Sequence, residues 1–285
     1  MKQSNELLND AIDEAFIIKR CHELLTEVGI KSAPIDPVIL ASCQGISGVV
    51  EEDMVAAGML IPGDEKIKIV LRKKDSTARK RFTCCHEIVH TFFLDFQKQP
   101  QMRTDSEVGR YDRNQFVEYL CDFGAAELLM PSFLFIPLLN EQGFNVAALQ
   151  SLSNLFNASC EATAIKMVKS NPSKYAMVVW VEKHKPSEKA AANGPTFPGF
   201  EQYTVPKKLR VHSAYGFEGY YHIPKDKSLE ESVGIIAKAF KEEDFGEGED
   251  TLCFGSKTLK CSIGALYLPG TTEVPPRVIT LLERT

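Results

Sequence analysis

Three features of this 285-residue sequence predict an α+β protein. Amphipathic helical stretches dominate the chain up to Asn171. A short run of alternating apolar residues sits among them, enough for a small sheet. After Pro172 the composition turns to β-branched and aromatic runs separated by Gly, Pro and Lys. The boundary near Asn171 thus separates a mainly helical part with a small sheet from a C-terminal α+β part.

The elements follow in order. Leu7 to Val28 has helical periodicity, with Ala15, Ile18, Leu24 and Leu25 among its apolar positions and Gly29 as the stop. Val38 to Cys43 is long enough for a second short helix. "MLIPGDEKIKIVLRK" predicts a hairpin: Met59 to Ile61, a Pro-Gly-Asp turn, then Ile67, Ile69 and Leu71 in alternation. A helix is expected to start near Ser76, where Asp75 or Ser76 can cap free N–H groups, and to run to about Leu94. Polar Gln97 to Arg113 is a loop. Gln115 to Leu129 is a helix with Pro131 beyond its end. Val146 to Lys169 holds two short helices interrupted near Asn157 to Ser159. "YAMVVWVEK" is a strand, and Leu252 to Phe254, Cys261 to Tyr267 and Val278 to Leu282 are further ones. Leu229 to Phe240 is a helix among them. Lys185 to Gly199 reads as a flexible loop and Glu242 to Asp250 as an acidic loop.

Composition narrows the class of function. A hydrophobic share of 44% and a charged share of 25% are those of a soluble protein with a real core. The net charge of -5 argues against a basic nucleic-acid coat but leaves room for a local basic groove. The opening residues are polar and acidic and no apolar run approaches the roughly 20 residues of a membrane span. A cytoplasmic protein without membrane partners is expected. The eight cysteines include no CxxC pair, so neither a disulfide framework nor a cysteine-based structural zinc is expected.

Chemistry concentrates in "RFTCCHEIVHTFFLDF". His86, Glu87 and His90 form HExxH. Residues i and i+4 share one helical face, so both imidazoles can bind one ion. Glu87 is offset by about 100°, too far to be a ligand but placed to take a proton from an activated water. Zinc suits neutral imidazole and brings the pKa of water to about 7. A catalytic site needs a third protein ligand, and Glu118 on the next helix is preferred over Asp95, Asp105 and Asp112 in or beside the polar loop. Asp122 stands one turn on from Glu118, where it can accept the second ring N–H of a ligand histidine. Cys84 and Cys85 align with apolar Ile88 and Val89, so packing is their expected role.

"RFTCCHEIVH" followed by "VEYLCDFGAAELLMP" resembles the ImmA/IrrE family of zinc metallopeptidases over residues 1 to about 170. The family pattern has an Arg-Phe-Thr lead-in, HExGH, and a helix close to E-x-x-A-N-x-F-A-A-E-L-L-M-P. Arg81, Phe82 and Thr83 match the lead-in, Glu118 falls on the third ligand, and Ala125 to Pro131 match the end. Val89, Cys85, Cys121 and Asp122 depart from the pattern without removing a ligand.

The resemblance implies a zincin-like metallopeptidase domain over residues 1–140, a helix-turn-helix-like segment over 141–171, and an α+β, GAF-like sensor domain over 172–285. It further implies an endopeptidase that cleaves a helix-turn-helix repressor and derepresses a stress, mobile-element or anti-phage operon, with DNA damage or single-stranded DNA as activator. In the 141–171 segment only Lys166 and Lys169 are basic on the second helix, against Glu161, so packing or substrate docking is favoured over direct DNA reading. "RVHSAYGFEGYYHIP" with Lys207, Lys208 and Arg210 allows base stacking, with sheet core or interface the favoured role. Tyr111, Arg103 and Tyr119 are candidates for stabilising the oxyanion. Cys121 is the candidate for a thiol that blocks the open zinc position. The rival reading is a non-proteolytic, metal-bearing module that binds a repressor or DNA.

Overall fold

The computed structural model describes residues 13–61, 66–93, 101–103, 113–188, 206–228, 234–254 and 257–285. The fold is mixed α+β with two sheets, and the chain divides into two compact units. One comprises Met1–Leu138 and Ser151–Ala162, the other Leu139–Gln150 and Thr163–Thr285.

In the first unit, α1 (Glu14–Val28) is capped by the Asp13 carboxylate, which accepts from Phe16 N. It ends at Gly29, whose φ of 77° is the left-handed turn that glycine adopts without a Cβ penalty. The short α2 (Pro37–Cys43) begins with proline inside an Asp36 cap. The strands β1 (Ile46–Glu52), β2 (Gly58–Ile61), β3 (Ile67–Arg72) and β4 (Gln101–Arg103) form a sheet in the order β1-β3-β2-β4. The expected hairpin is present as β2 and β3, antiparallel, with Met59 opposite Val70. β1 joins in parallel and β4 in antiparallel fashion. Neither was expected: "ISGVVEE" lacks clean alternation, and β4 lies within the stretch read as a loop.

The helix α3 (Thr77–His90) carries the HExxH residues. Ser76 caps it, accepting from Arg79 N at 3.3 Å. It ends at His90 rather than near Leu94. Every residue from Thr83 to His90 is buried, because this helix packs on α2, on β2 and β3, and on α4 (Arg113–Leu129). α5 (Ser132–Gln142) was missed in the sequence, where Pro131 and the internal Pro137 both argue for a break. α6 (Val146–Phe156) and α7 (Cys160–Lys169) flank Asn157, which turns the chain at φ 51°. Leu149, Leu152 and Phe156 are buried as expected, whereas Leu155 is exposed. The chain passes from one unit to the other within α5, within α6 and within α7.

The second unit is built on an antiparallel sheet in the order β6-β5-β9-β8-β7, from β5 (Tyr175–Lys183), β6 (Lys208–Gly216), β7 (Phe245–Phe254), β8 (Lys257–Leu268) and β9 (Arg277–Arg284). The segment expected to be an acidic loop is mostly strand: Phe245 to Asp250 pair with Leu266 to Cys261. The partner strand imposes this, since "FGEGED" has almost no apolar content of its own. The helix expected over Leu229 to Phe240 is described as α8 (Ile235–Glu242). Both faces of β5 and β9 are buried, so they read as continuous apolar runs. One face, with Ala176, Val178 and Trp180, packs with Ile236 and Ala239 of α8. On the other, Gly264 leaves room for Val146 of α6, and Phe144 stacks on Tyr175 at 3.9 Å. The Trp180 indole N–H donates to Thr280 Oγ1 at 3.0 Å, satisfying a polar atom in the core.

Among the described residues, no single helix is long and apolar enough to cross a membrane.

Candidate metal centre

The site is assembled from α3 and α4. Their spacing places His86 and His90 one turn apart, with rings 4.8 Å between centroids. Their Nε2 atoms face each other at 3.1 Å. The Glu118 carboxylate of α4 completes the group, with Oε2 3.1 Å from His86 Nε2 and Oε1 3.5 Å from His90 Nε2. A tetrahedral ion with bonds of about 2.0–2.1 Å holds its ligand atoms about 3.3–3.4 Å apart. The Nε2–Nε2 separation and the approach of one carboxylate oxygen to each ring are of this size, and the donor set of two imidazoles and a carboxylate is one that zinc accepts.

Groups behind the rings fix how these nitrogens are presented. His86 Nδ1 lies 2.9 Å from Asp122 Oδ1, the partner expected from the sequence. With that nitrogen committed to the carboxylate, Nε2 is the one left for an ion. His90 Nδ1 faces Cys121 Sγ at 3.4 Å. His86, His90 and Cys121 can also be grouped as metal-ligating side chains, since one ligand atom from each lies within 4.8 Å of the others. The grouping with Glu118 is the tighter one, and it uses the ring nitrogens that face each other.

The electrostatics agree with this grouping. Burial pushes the Glu118 carboxyl up, but the hydrogen bond with His86 and the charge of the two imidazoles outweigh it, so the group sits below the usual carboxylate range. Both histidine side chains are almost fully buried, while those of Glu118 and Asp122 are 41% and 50% exposed. The carboxylates thus form the solvent-facing side of the group.

Glu87 is fully buried. It lies against Gly58 of β2: a Cβ built there would stand 2.9 Å from Glu87 Oε1 and 2.3 Å from Thr83 Cγ2. Glycine at this point of the strand is what lets the Glu87 side chain occupy its place. Nothing local in the sequence marks it, because the contact depends on how β2 docks on α3. Arg81 was recognised only as part of a motif. Its guanidinium donates to the carbonyls of Ile35 at 2.7 Å, Phe156 at 3.4 Å and Asn157 at 3.2 Å, fastening α3 to the end of α6. Glu127, in the matched "AAELLMP", is buried and accepts from Ser132 N and Ser132 Oγ, both at 2.8 Å, and pairs with His22 at 2.8 Å. It secures the start of α5, and no role at the metal follows for it.

The thiols of α3 are buried as expected. Burial first, and then the charge of Glu87, push the Cys84 thiol up to about 12. Burial likewise pushes Cys85 well up. The Tyr119 hydroxyl donates to Glu14 of α1. Arg103 lies at the end of β4. Tyr111 lies outside the described residues. In the second unit Arg210 is buried and bound to Glu188 at 2.9 and 3.0 Å, to Lys183 O and to Asp226 O. Phe217 is also buried. These two residues are therefore core, which removes them from any stacking platform for bases.

Residues 53–168 match the peptidase M78 family, described as the IrrE N-terminal-like domain. Comparison with curated proteins finds no match. Among solved structures, the fold is similar to that of a Mycobacterium tuberculosis transcriptional regulator, with a TM-score of 0.57 and 10% sequence identity, covering 97% of this chain and 77% of that one. At that identity the likeness is one of fold.

Proposed function

From the premise that this chain carries an IrrE N-terminal-like domain of the peptidase M78 family over residues 53–168, we propose that it is a zinc-dependent endopeptidase that cleaves a helix-turn-helix repressor. The observation that carries the reading is the convergence of His86 Nε2, His90 Nε2 and the Glu118 carboxylate within 3.5 Å of one another, with Asp122 behind His86. His86, His90 and Glu118 would hold the ion. When bound, it supplies Lewis-acid polarisation of a carbonyl and acidification of water. Glu87 serves as general base towards that water and then delivers the proton to the leaving amine. Asp122 holds the His86 tautomer that presents Nε2.

The repressor substrate follows from the resemblance, as does derepression of a stress, mobile-element or anti-phage operon from the cytoplasm. α6 and α7, with their apolar faces buried, support a packing role for that segment over base reading. The second unit is proposed as the sensor, with DNA damage or single-stranded DNA as the signal.

The test is incubation of the zinc-loaded protein with the helix-turn-helix repressor encoded beside its gene, with and without single-stranded DNA, read by mass spectrometry. One cleavage site is expected. Glu87→Gln should keep its zinc and lose about 10²–10⁴-fold in rate. Unchanged repressor cleavage by that variant would sink the assignment. Repressor binding without any cleavage would instead establish the non-proteolytic module.

A further inference from the structure

His86 and His90 present matching nitrogens to one point, yet the groups behind them differ. Asp122 stands behind His86 and Cys121 behind His90, from adjacent positions of α4. Adjacent residues on a helix diverge by about 100°, and the two rings they reach are turned by 71° to each other. Asp122 is half-exposed, whereas Cys121 is fully buried between α4 and α3.

We infer that Cys121 is a positioning residue: its sulfur accepts the Nδ1–H of His90 and so holds the tautomer whose Nε2 faces His86 and Glu118. The inference rests on the metal site proposed above. An ion shared by both histidines must use His86 Nε2, since Asp122 takes His86 Nδ1. The His90 atom facing His86 Nε2 at 3.1 Å is Nε2. That leaves His90 Nδ1 pointing away from the shared point, with Cys121 Sγ at 3.4 Å as its neighbour. One imidazole cannot turn both nitrogens to one ion, so a sulfur on the Nδ1 side lies behind the ring and not across the open position.

The residue type suits the place. A second carboxylate there would put a charge into a fully buried position. Sulfur is a weak acceptor, and cysteine packs as a small apolar side chain. Partners of this kind typically change metal affinity by about 10–100-fold, and a weak acceptor belongs at the lower end.

The test compares zinc affinity of the full chain, by competition with a chromogenic chelator, for wild type, Cys121→Ala, Cys121→Val and Cys121→Ser. Alanine and valine should each weaken binding about tenfold. Serine, which restores an acceptor, should recover most of it. Valine fills the space, so it carries the comparison if alanine unfolds. Cobalt-loaded wild type should show no thiolate charge-transfer band. Three results overturn the inference: alanine and valine variants that bind as tightly as wild type, a serine variant as weak as alanine, or a cobalt–thiolate band that vanishes in Cys121→Ala and so makes Cys121 a ligand. Wild type that takes up no zinc removes the metal site itself, an outcome told apart because the other three require loaded wild type.

Discussion

His86, Glu87, His90, Glu118 and Asp122 are visible in the sequence because helical spacing alone places them: four residues for the histidines, four for the two acids. Gly58 is a different kind of residue. It lies some 30 positions from Glu87, and nothing local marks it; only the docking of β2 on α3 gives it meaning. Cys121 behaves likewise, since its relation to His90 depends on how α4 is rotated against α3. The pairing of acids on α4 with the histidines of α3 was thus legible, and the close contacts of Gly58 with Glu87 and of Cys121 with His90 were not. Gly58→Ala tests this directly. The new methyl has Thr83 Cγ2 at 2.3 Å, too close for both to stay. Displacing the Glu87 carboxylate by about 1 Å should cost about 100-fold in kcat. Zinc content, measured by metal analysis, should be unchanged, because the atoms nearest the new methyl belong to Thr83 and Glu87, not to a ligand. Full activity in Gly58→Ala would show that Glu87 tolerates the shift.

The helices tell a related story of traded bulk. Val89 stands where the family pattern has glycine, on the buried side of α3. Across from it on α4 stands Gly124, where the pattern has phenylalanine. A Cβ on Gly124 would lie 2.8 Å from both Val89 Cγ2 and Ile17 Cγ2 of α1. The valine fills the space beside the glycine, where α1 and α3 both pack on α4. Gly124→Ala should therefore destabilise by about 1–3 kcal/mol, although alanine is the better helix former. A thermal melt of the metal-free protein measures it, and a raised melting temperature would refute the packing account. The same dependence on partners explains the missed elements. β7 acquires its strand from β8, and α5 tolerates Pro137 where its own sequence predicts a break.

At the scale of the molecule, the second unit carries ion pairs that tie its loops to its sheet. Lys183 pairs with Asp226 at 2.6 Å, and Arg210 with Glu188. The hydrogen bond from Lys183 holds the Asp226 carboxyl below its usual range. The Lys185 backbone N–H, and then the Arg210 and Lys185 charges, do the same for Glu188 against the effect of burial. Folded pKa values below the unfolded ones stabilise the unit above the unfolded carboxylate range, about pH 4, and that contribution disappears as pH falls through the folded values. Asp226→Asn and Glu188→Gln should thus lower the melting temperature at pH 7 and leave it closer to wild type under acid. An effect of equal size at both pH values would show that the pairs act by packing alone.

The passage of the chain within α5, α6 and α7 has a bearing on how this molecule can be dissected. Residues 151–162 are counted with Met1–Leu138, yet both their flanks are counted with the other unit. A gene fragment ending at Leu138 would encode every residue of HExxH and Glu118, yet it would lack the Phe156 and Asn157 carbonyls on which Arg81 anchors α3, and the ring that packs on Phe135. Such a fragment keeps the HExxH motif and loses its brace. No single scission releases the first unit whole from this chain: an excised version needs residues 151–162 restored, by a linker that replaces Leu139–Gln150 or as a separate peptide.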